Sequence, residues 1–177
     1  MLITHGFTND GRFDDTWQFD LATSAWTDIS GAPDDRPTPR CLIDGVWDQR
    51  KRRFSIYGGQ SNEEPFLDDL WGWSPEIGWQ QIPRAPRPSA RNMYAMVHDL
   101  DRTAVYLVGG RTADGPVGDT WVFYSDGENW AQASPAGEPL TARYGHDVAI
   151  GTDRAVHLFG GTDDGTIFDD LWRLDHT

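Results

Sequence analysis

The pair Gly58-Gly59 recurs at Gly109-Gly110 and again at Gly160-Gly161, with 51 residues in each step. A fixed period of this length restricts a chain to copies of one supersecondary unit that bury their faces against each other. Each pair closes a run suited to a strand: Phe54-Ser55-Ile56-Tyr57, Val105-Tyr106-Leu107-Val108 and Val156-His157-Leu158-Phe159. A degenerate copy opens the chain as Leu2-Ile3-Thr4-His5-Gly6-Phe7.

Three further landmarks keep the same order. An acidic-Trp segment follows each pair: Asp14-Asp15-Thr16-Trp17, Asp68-Asp69-Leu70-Trp71, Gly118-Asp119-Thr120-Trp121 and Asp169-Asp170-Leu171-Trp172. A second tryptophan comes eight or nine residues later, at Trp26, Trp79 and Trp130. An arginine then precedes the next apolar run, at Arg40, Arg91 and Arg143. Runs are short and turn residues recur between them, as in Ser125-Asp126-Gly127-Glu128, which predicts many short strands and almost no helix. In the unit that starts at Arg91 the four strands are expected at Arg91 to Val97, Ala104 to Val108, Thr120 to Tyr124 and Trp130 to Ala133.

Gly-Gly, Asp-x-Trp, Trp and Arg-x-x-His together resemble the kelch repeat. Arg143-Tyr144-Gly145-His146 carries the whole last element, whereas Arg40 and Arg91 are followed by Ile43 and Tyr94 at the histidine position. The resemblance covers essentially the whole chain. It implies an all-β fold of four-stranded antiparallel propeller blades. The chain then reads as one kelch-repeat region, 1–177, with a partial blade at 1–30, blades at 40–82 and 91–133, and a partial blade at 143–177. The ring is expected to be incomplete within this chain. Three arrangements stay open: an excerpt of a larger propeller, one subunit of a composite ring, or a small four-bladed ring. Open blade edges predict self-association or a larger assembly.

Charge limits the partners. Lys+Arg is 15 against 28 Asp+Glu, a formal net charge of −13, which repels nucleic-acid backbones and anionic lipid surfaces. No apolar run reaches the roughly 18 residues of a membrane-spanning helix. Residues Met1 to Gly6 lack the basic and apolar regions of a secretory leader, and the compartment stays open. The single cysteine, Cys41, allows neither an intrachain disulfide nor a cysteine zinc cluster; it reads as a small, semi-exposed hydrophobe. No phosphate-loop, G-x-G-x-x-G or H-E-x-x-H motif occurs. His5, His98, His146, His157 and His176 show no ligand spacing. No catalytic residue, metal or cofactor is expected.

Up-and-down blade topology gathers the loops after each second strand and the segments entering each inner strand on one face. The resemblance implies that this face receives protein or peptide partners. Asp10, Glu63, Asp114 and Asp164 stand at equivalent places there, read either as an acidic rim for a basic peptide or cation, or as the turn chemistry of Asp-Gly. Arg40, Arg91 and Arg143 are expected around the central opening. They either grip a ligand carboxylate, pair with a neighbouring blade's carboxylates, or hold the loop. Asp15, Asp69, Asp119 and Asp170 are expected to accept backbone N–H bonds, with Trp17, Trp71, Trp121 and Trp172 packed between blades. Gly58, Gly59, Gly109, Gly110, Gly160 and Gly161 are read as backbone devices. The functional expectation is a protein-binding scaffold module; the alternative is part of a kelch-type propeller enzyme, an oxidase or sugar-modifying one, whose site is completed outside this chain.

Overall fold

A computed structural model of the protein describes residues 1–83, 85–134 and 137–175. Alternating apolar residues, with glycines at the tight points, produce four antiparallel sheets in chain order. The first contains β1 (Leu2–Thr8), β2 (Gly11–Asp20) and β3 (Ala25–Asp28). The second contains β4 (Arg40–Cys41), β5 (Gly45–Asp48), β6 (Arg53–Ser61), β7 (Leu67–Ser74) and β8 (Gly78–Gln81). The third contains β9 (Ala95–Asp99), β10 (Ala104–Thr112), β11 (Gly115–Tyr124) and β12 (Asn129–Gln132). The fourth contains β13 (Asp147–Ile150), β14 (Val156–Phe159) and β15 (Leu171–Leu174). These are kelch-type blades, and they do not close into a ring. The one helical element among the described residues is a three-residue 3₁₀ turn, Pro33–Asp35.

Both β4 and β5 pair with β6, so they are two pieces of one inner strand. The break falls at Leu42, whose φ of 56° is left-handed. Met93 (φ 52°) and Gly145 (φ 66°) repeat that kink in the next two blades. The expected inner strand Arg91 to Val97 is therefore shifted: Asn92 makes only an isolated bridge to Arg111, and regular pairing starts at Ala95. These kinks also link the blades. Met93 N–H donates to Leu42 O (3.0 Å), and Gly145 N–H donates to Met93 O (2.9 Å).

The second strand runs further than expected, to Thr112 rather than Val108, because pairing continues past the glycines. The register slips between Val108 and Gly110, and likewise between Tyr57 and Gly59. Gly58 and Gly59 sit at φ 54° and 97°. A Cβ on Gly58 would lie 2.6 Å from the carbonyl oxygens of both Arg91 and Leu67. This is where the next blade's backbone comes in, since Gly59 N–H donates to Arg91 O (2.9 Å). No larger residue fits such an approach.

Blade faces meet in three cores. Blades 2 and 3 bury Tyr57, Leu70, Leu107, Phe123 and Trp130 together, with Trp121 packed on their edge. Blades 3 and 4 share Ala95, Val108, Val156 and Leu158, with Trp172 beside them. Ile56, Trp73 and Trp79 of blade 2 meet Leu2 and Ile29 of blade 1, again with a strand tryptophan, Trp71, against the cluster. At roughly 25 cal/mol per Å² of apolar surface removed from water, these face-to-face contacts are the main cohesive term between blades.

Candidate functional site

The three repeat arginines lie beneath the loop face with side chains closed to solvent (0% exposed). Arg40 reaches Asp69 with Nη1 at 2.6 Å and Nη2 at 2.8 Å. Arg91 holds Asp119 at 2.6 and 2.9 Å, and Arg143 holds Asp170 at 2.5 and 2.9 Å. Each Nη1 also donates to the carbonyl of the first repeat glycine: Gly58 at 2.8 Å, Gly109 at 2.9 Å and Gly160 at 3.0 Å. Each Nε donates at 3.1 Å to a carbonyl of the entering loop, Thr38 O, Ser89 O or Thr141 O. Every guanidinium is thus engaged by a carboxylate of its own blade and by the loop it follows. Of the roles left open for these arginines, they hold the entering loop, and their carboxylate pairing falls within the blade and not across to a neighbour, because the third strand brings the aspartate opposite the planar fork.

Asp69, Asp119 and Asp170 each accept a backbone N–H, their own, and take guanidinium and indole donors besides. Trp71, Trp121 and Trp172 donate Nε1–H to Asp69, Asp119 and Asp170 at 2.7, 2.8 and 2.6 Å. Burial alone would push Asp69 and Asp119 up; the arginine hydrogen bonds and charge overcome it and hold both below the usual carboxylate range. The Arg143 hydrogen bond takes Asp170 down to about 2. In blade 1 only the indole half survives: Trp17 donates to Asp15 at 2.8 Å. His5 replaces the first glycine there and adopts its left-handed φ, 56°. Burial, then the charge of Arg40, lowers its pKa to about 4.

Above this layer lies the rim. Asp10 and Asp114 occupy two-residue hairpin turns, since Thr8 pairs with Gly11 and Thr112 with Gly115. Their sequences, Asn9-Asp10-Gly11 and Ala113-Asp114-Gly115, supply the glycine such turns use. Glu63 sits in the wider, glycine-free connection between β6 and β7. Asp10, Glu63, Asp114 and Asp164 are all exposed. Among the described residues Asp164 alone of the four has an ion-pair partner: Arg111 pairs with it, and Tyr144 Oη donates to it at 2.6 Å. The Arg111 guanidinium also lies 5.1 Å from the Tyr144 ring centroid. Sequence reasoning missed Arg111 and Tyr144, although each directly follows a repeat landmark, Gly110 or Arg143. It also missed Arg12, which crosses from blade 1 to Asn62 (2.7 Å) and to Cys41 Sγ (3.2 Å). Cys41 is buried rather than semi-exposed, because Arg12 and the inner strand cover it. Apolar side chains share the rim: Phe7 is 65% and Ile167 88% exposed.

Other candidates stay apart. His157 meets Asp153 at 3.0 Å on the opposite face. His146 Nε2 contacts Val108 O, and burial takes its pKa to about 4. His176 lies outside the described residues. Among the described residues no three His, Cys, Asp or Glu side chains are grouped to hold a metal ion. Among the described residues no helix is long and apolar enough to cross a membrane.

Comparison with known proteins agrees with this geometry. Residues 30–177 match the model of the KLHDC2/KLHL20/DRC7 Kelch-repeats domain. The human Rab9 effector protein with kelch motifs is 27% identical over 97% of this chain and 46% of its own length. Mouse Kelch domain-containing protein 1 is 26% identical over 89% of the chain and 39% of its own length. The tRNA wybutosine-synthesizing protein 4 of Emericella nidulans is 32% identical over 66% of the chain and 12% of its own length. The chain therefore spans less than half of each of these relatives. With glycine-pair bulges, arginine–aspartate–tryptophan clusters and this match in agreement, the chain belongs to the kelch-repeat family.

Proposed function

We propose that the chain is a protein-binding module whose loop face, bearing Asp10, Glu63, Asp114 and Asp164, receives a basic segment of a partner protein. The observation that carries this is the pairing of exposed carboxylates with exposed Phe7 and Ile167 on one rim, above loops fixed by buried Arg40, Arg91 and Arg143. Rigid support lets a loop bind without first being ordered. In this reading the arginines act as anchors, and a partner meets the rim above them. One relative is named as an effector of Rab9, which supports a protein as the class of ligand.

The test uses a partner captured by pull-down with the chain. Asp10→Asn, Glu63→Gln and Asp114→Asn combined should weaken its binding, and raising the salt should weaken it further. Asp101→Asn with Asp126→Asn on the opposite turns should leave it unchanged. Loss of binding only with the opposite-face pair overturns the assignment.

A further inference from the structure

Arg53 of β6 departs from the repeat. Blades 3 and 4 carry Ala104 and Ala155 at its position, and Val122 and Arg173 at that of Gly72. The two departures belong together. A Cβ on Gly72 would lie 2.5 Å from Arg53 Cδ, so the glycine clears a path for the arginine stem. The guanidinium comes to rest 5.9 Å from the Phe123 ring centroid of blade 3, with the side chain only 15% exposed. Nη1 donates to Glu128 at 2.8 Å, and it is the one nitrogen of this guanidinium with a hydrogen bond among the described residues. Nε is buried without a partner. Arg40, Arg91 and Arg143, by contrast, each engage Nε and Nη1, and all three also spend Nη2 on a carboxylate. Asp48 stands opposite Arg53 in the ladder, but its Oδ1 accepts the backbone N–H groups of Arg50 and Lys51 at 2.9 and 3.0 Å. A buried donor on a charged group is costly to leave unmade, so the acceptor belongs to something that lies against this arginine.

A groove of about 390 Å³ does so, between the outer flanks of blades 2 and 3. Both blades have all their strands, so both walls are complete. Its charged side chains are Lys51, Arg53 and Glu128, and Ile77 and Ile82 add apolar wall. We propose that this groove binds a small carboxylate with an apolar body. The two carboxylate oxygens accept from the Nε and Nη2 edge of Arg53, which Glu128 leaves open by taking Nη1. The planar fork suits two oxygens on that edge. Lys51 Nζ, 3.6 Å from Asp126, adds positive charge, and the apolar body rests on Ile77 and Ile82. The groove lies among the turns opposite the loop face, and its occupation is independent of any partner there.

The unpaired donor is its own reporter. In the isotopically labelled 177-residue protein, the arginine Nε–H resonances are followed while benzoate, benzamide or inorganic phosphate is added. Benzoate should shift one resonance saturably, the one that disappears in Arg53→Gln. Benzamide has the same body without the charge and should bind at least about tenfold more weakly. Phosphate should move the same resonance with lower affinity than benzoate, because it leaves the apolar wall uncovered. Glu128→Gln removes the competing carboxylate and should tighten benzoate binding about threefold, whereas Lys51→Gln should weaken it by a similar factor. These two variants carry the test if Arg53→Gln loosens the seam. The proposal is overturned by the absence of a saturable shift, by equal binding of benzoate and benzamide, or by weaker benzoate binding in Glu128→Gln. Tighter binding of phosphate than of benzoate overturns it as well, in favour of a phosphate ester.

Discussion

Blade 1 and blade 3 are built from the same repeat, yet they use it differently. Trp26 and Trp130 hold the same position on their outer strands, but Trp26 is 44% exposed and Trp130 only 3%. Asp15 and Asp119 both take an indole hydrogen bond, but only Asp119 also takes a buried guanidinium. The first glycine of the pair is Gly109 in blade 3 and His5 in blade 1. Each residue's burial is thus a property of what stands beside the blade as much as of the blade itself. A repeat motif encodes a capacity to pack, and a neighbour realises it.

Breaking the ion pair should widen this contrast most. Arg91→Ala leaves Asp119 without its guanidinium and frees the carbonyls of Gly109 and Ser89. A loss of roughly 3–5 kcal/mol in unfolding free energy is expected, against about 1 kcal/mol for Asp15→Ala, which removes one indole hydrogen bond. Denaturant titration of both variants checks it, and equal losses would mean that the cluster is not what holds blade 3.

The two tryptophans come next. Trp130→Ala empties a packed site and should lower stability by about 3 kcal/mol. Trp26→Ala, which removes a largely exposed ring packed 4.9 Å from that of Phe19, should stay within about 1 kcal/mol. If the gap vanishes, blade 1 is covered in solution by something absent from the isolated chain.

Acid gives the smallest and most specific test. His5 is lowered to about 4 in the fold from an ordinary 6.5, so the unfolded chain protonates first as the pH falls. Its contribution is complete above pH 6.5 and disappears as the pH falls through about 4, amounting to roughly 2–3 kcal/mol. Below that range Asp69 and Asp119 also begin to lose their arginine pairing. His5→Gly restores the residue that tolerates a φ of 56° and should remove its own share of the pH dependence between 6.5 and 4, leaving the share of His146, which is lowered to about 4 as well. An unaltered profile would assign the acid sensitivity to His146 alone.

The repeat was legible because its landmarks are obligatory: a glycine where a Cβ would strike backbone, an aspartate beside an indole, and a tryptophan on the outer strand. Strand lengths were less so. Pairing through the glycine bulge takes β10 to Thr112 and starts β11 at Gly115, so the loop expected after the second strand becomes a hairpin, a consequence of cross-strand bonding that no local residue preference announces. The left-handed kinks at Leu42 and Met93 were equally hidden, since neither residue favours that conformation and the inter-blade hydrogen bonds impose it. The partners of Arg40, Arg91 and Arg143 lie 27 to 29 residues away, so their choice between own and neighbouring blade depends on tertiary geometry.

That choice also sets an order of events. Arg40–Asp69, Arg91–Asp119 and Arg143–Asp170 each close inside a single repeat, whereas the bonds from Gly59 to Arg91 O and from Gly110 to Arg143 O wait for the following one. A chain emerging from the ribosome can therefore lock each blade as soon as its third strand is out. It can then offer the finished glycine bulge as a template on which the next arginine lands. On this order each ion pair would close within its own repeat and each glycine-bulge bond would wait for the repeat that follows.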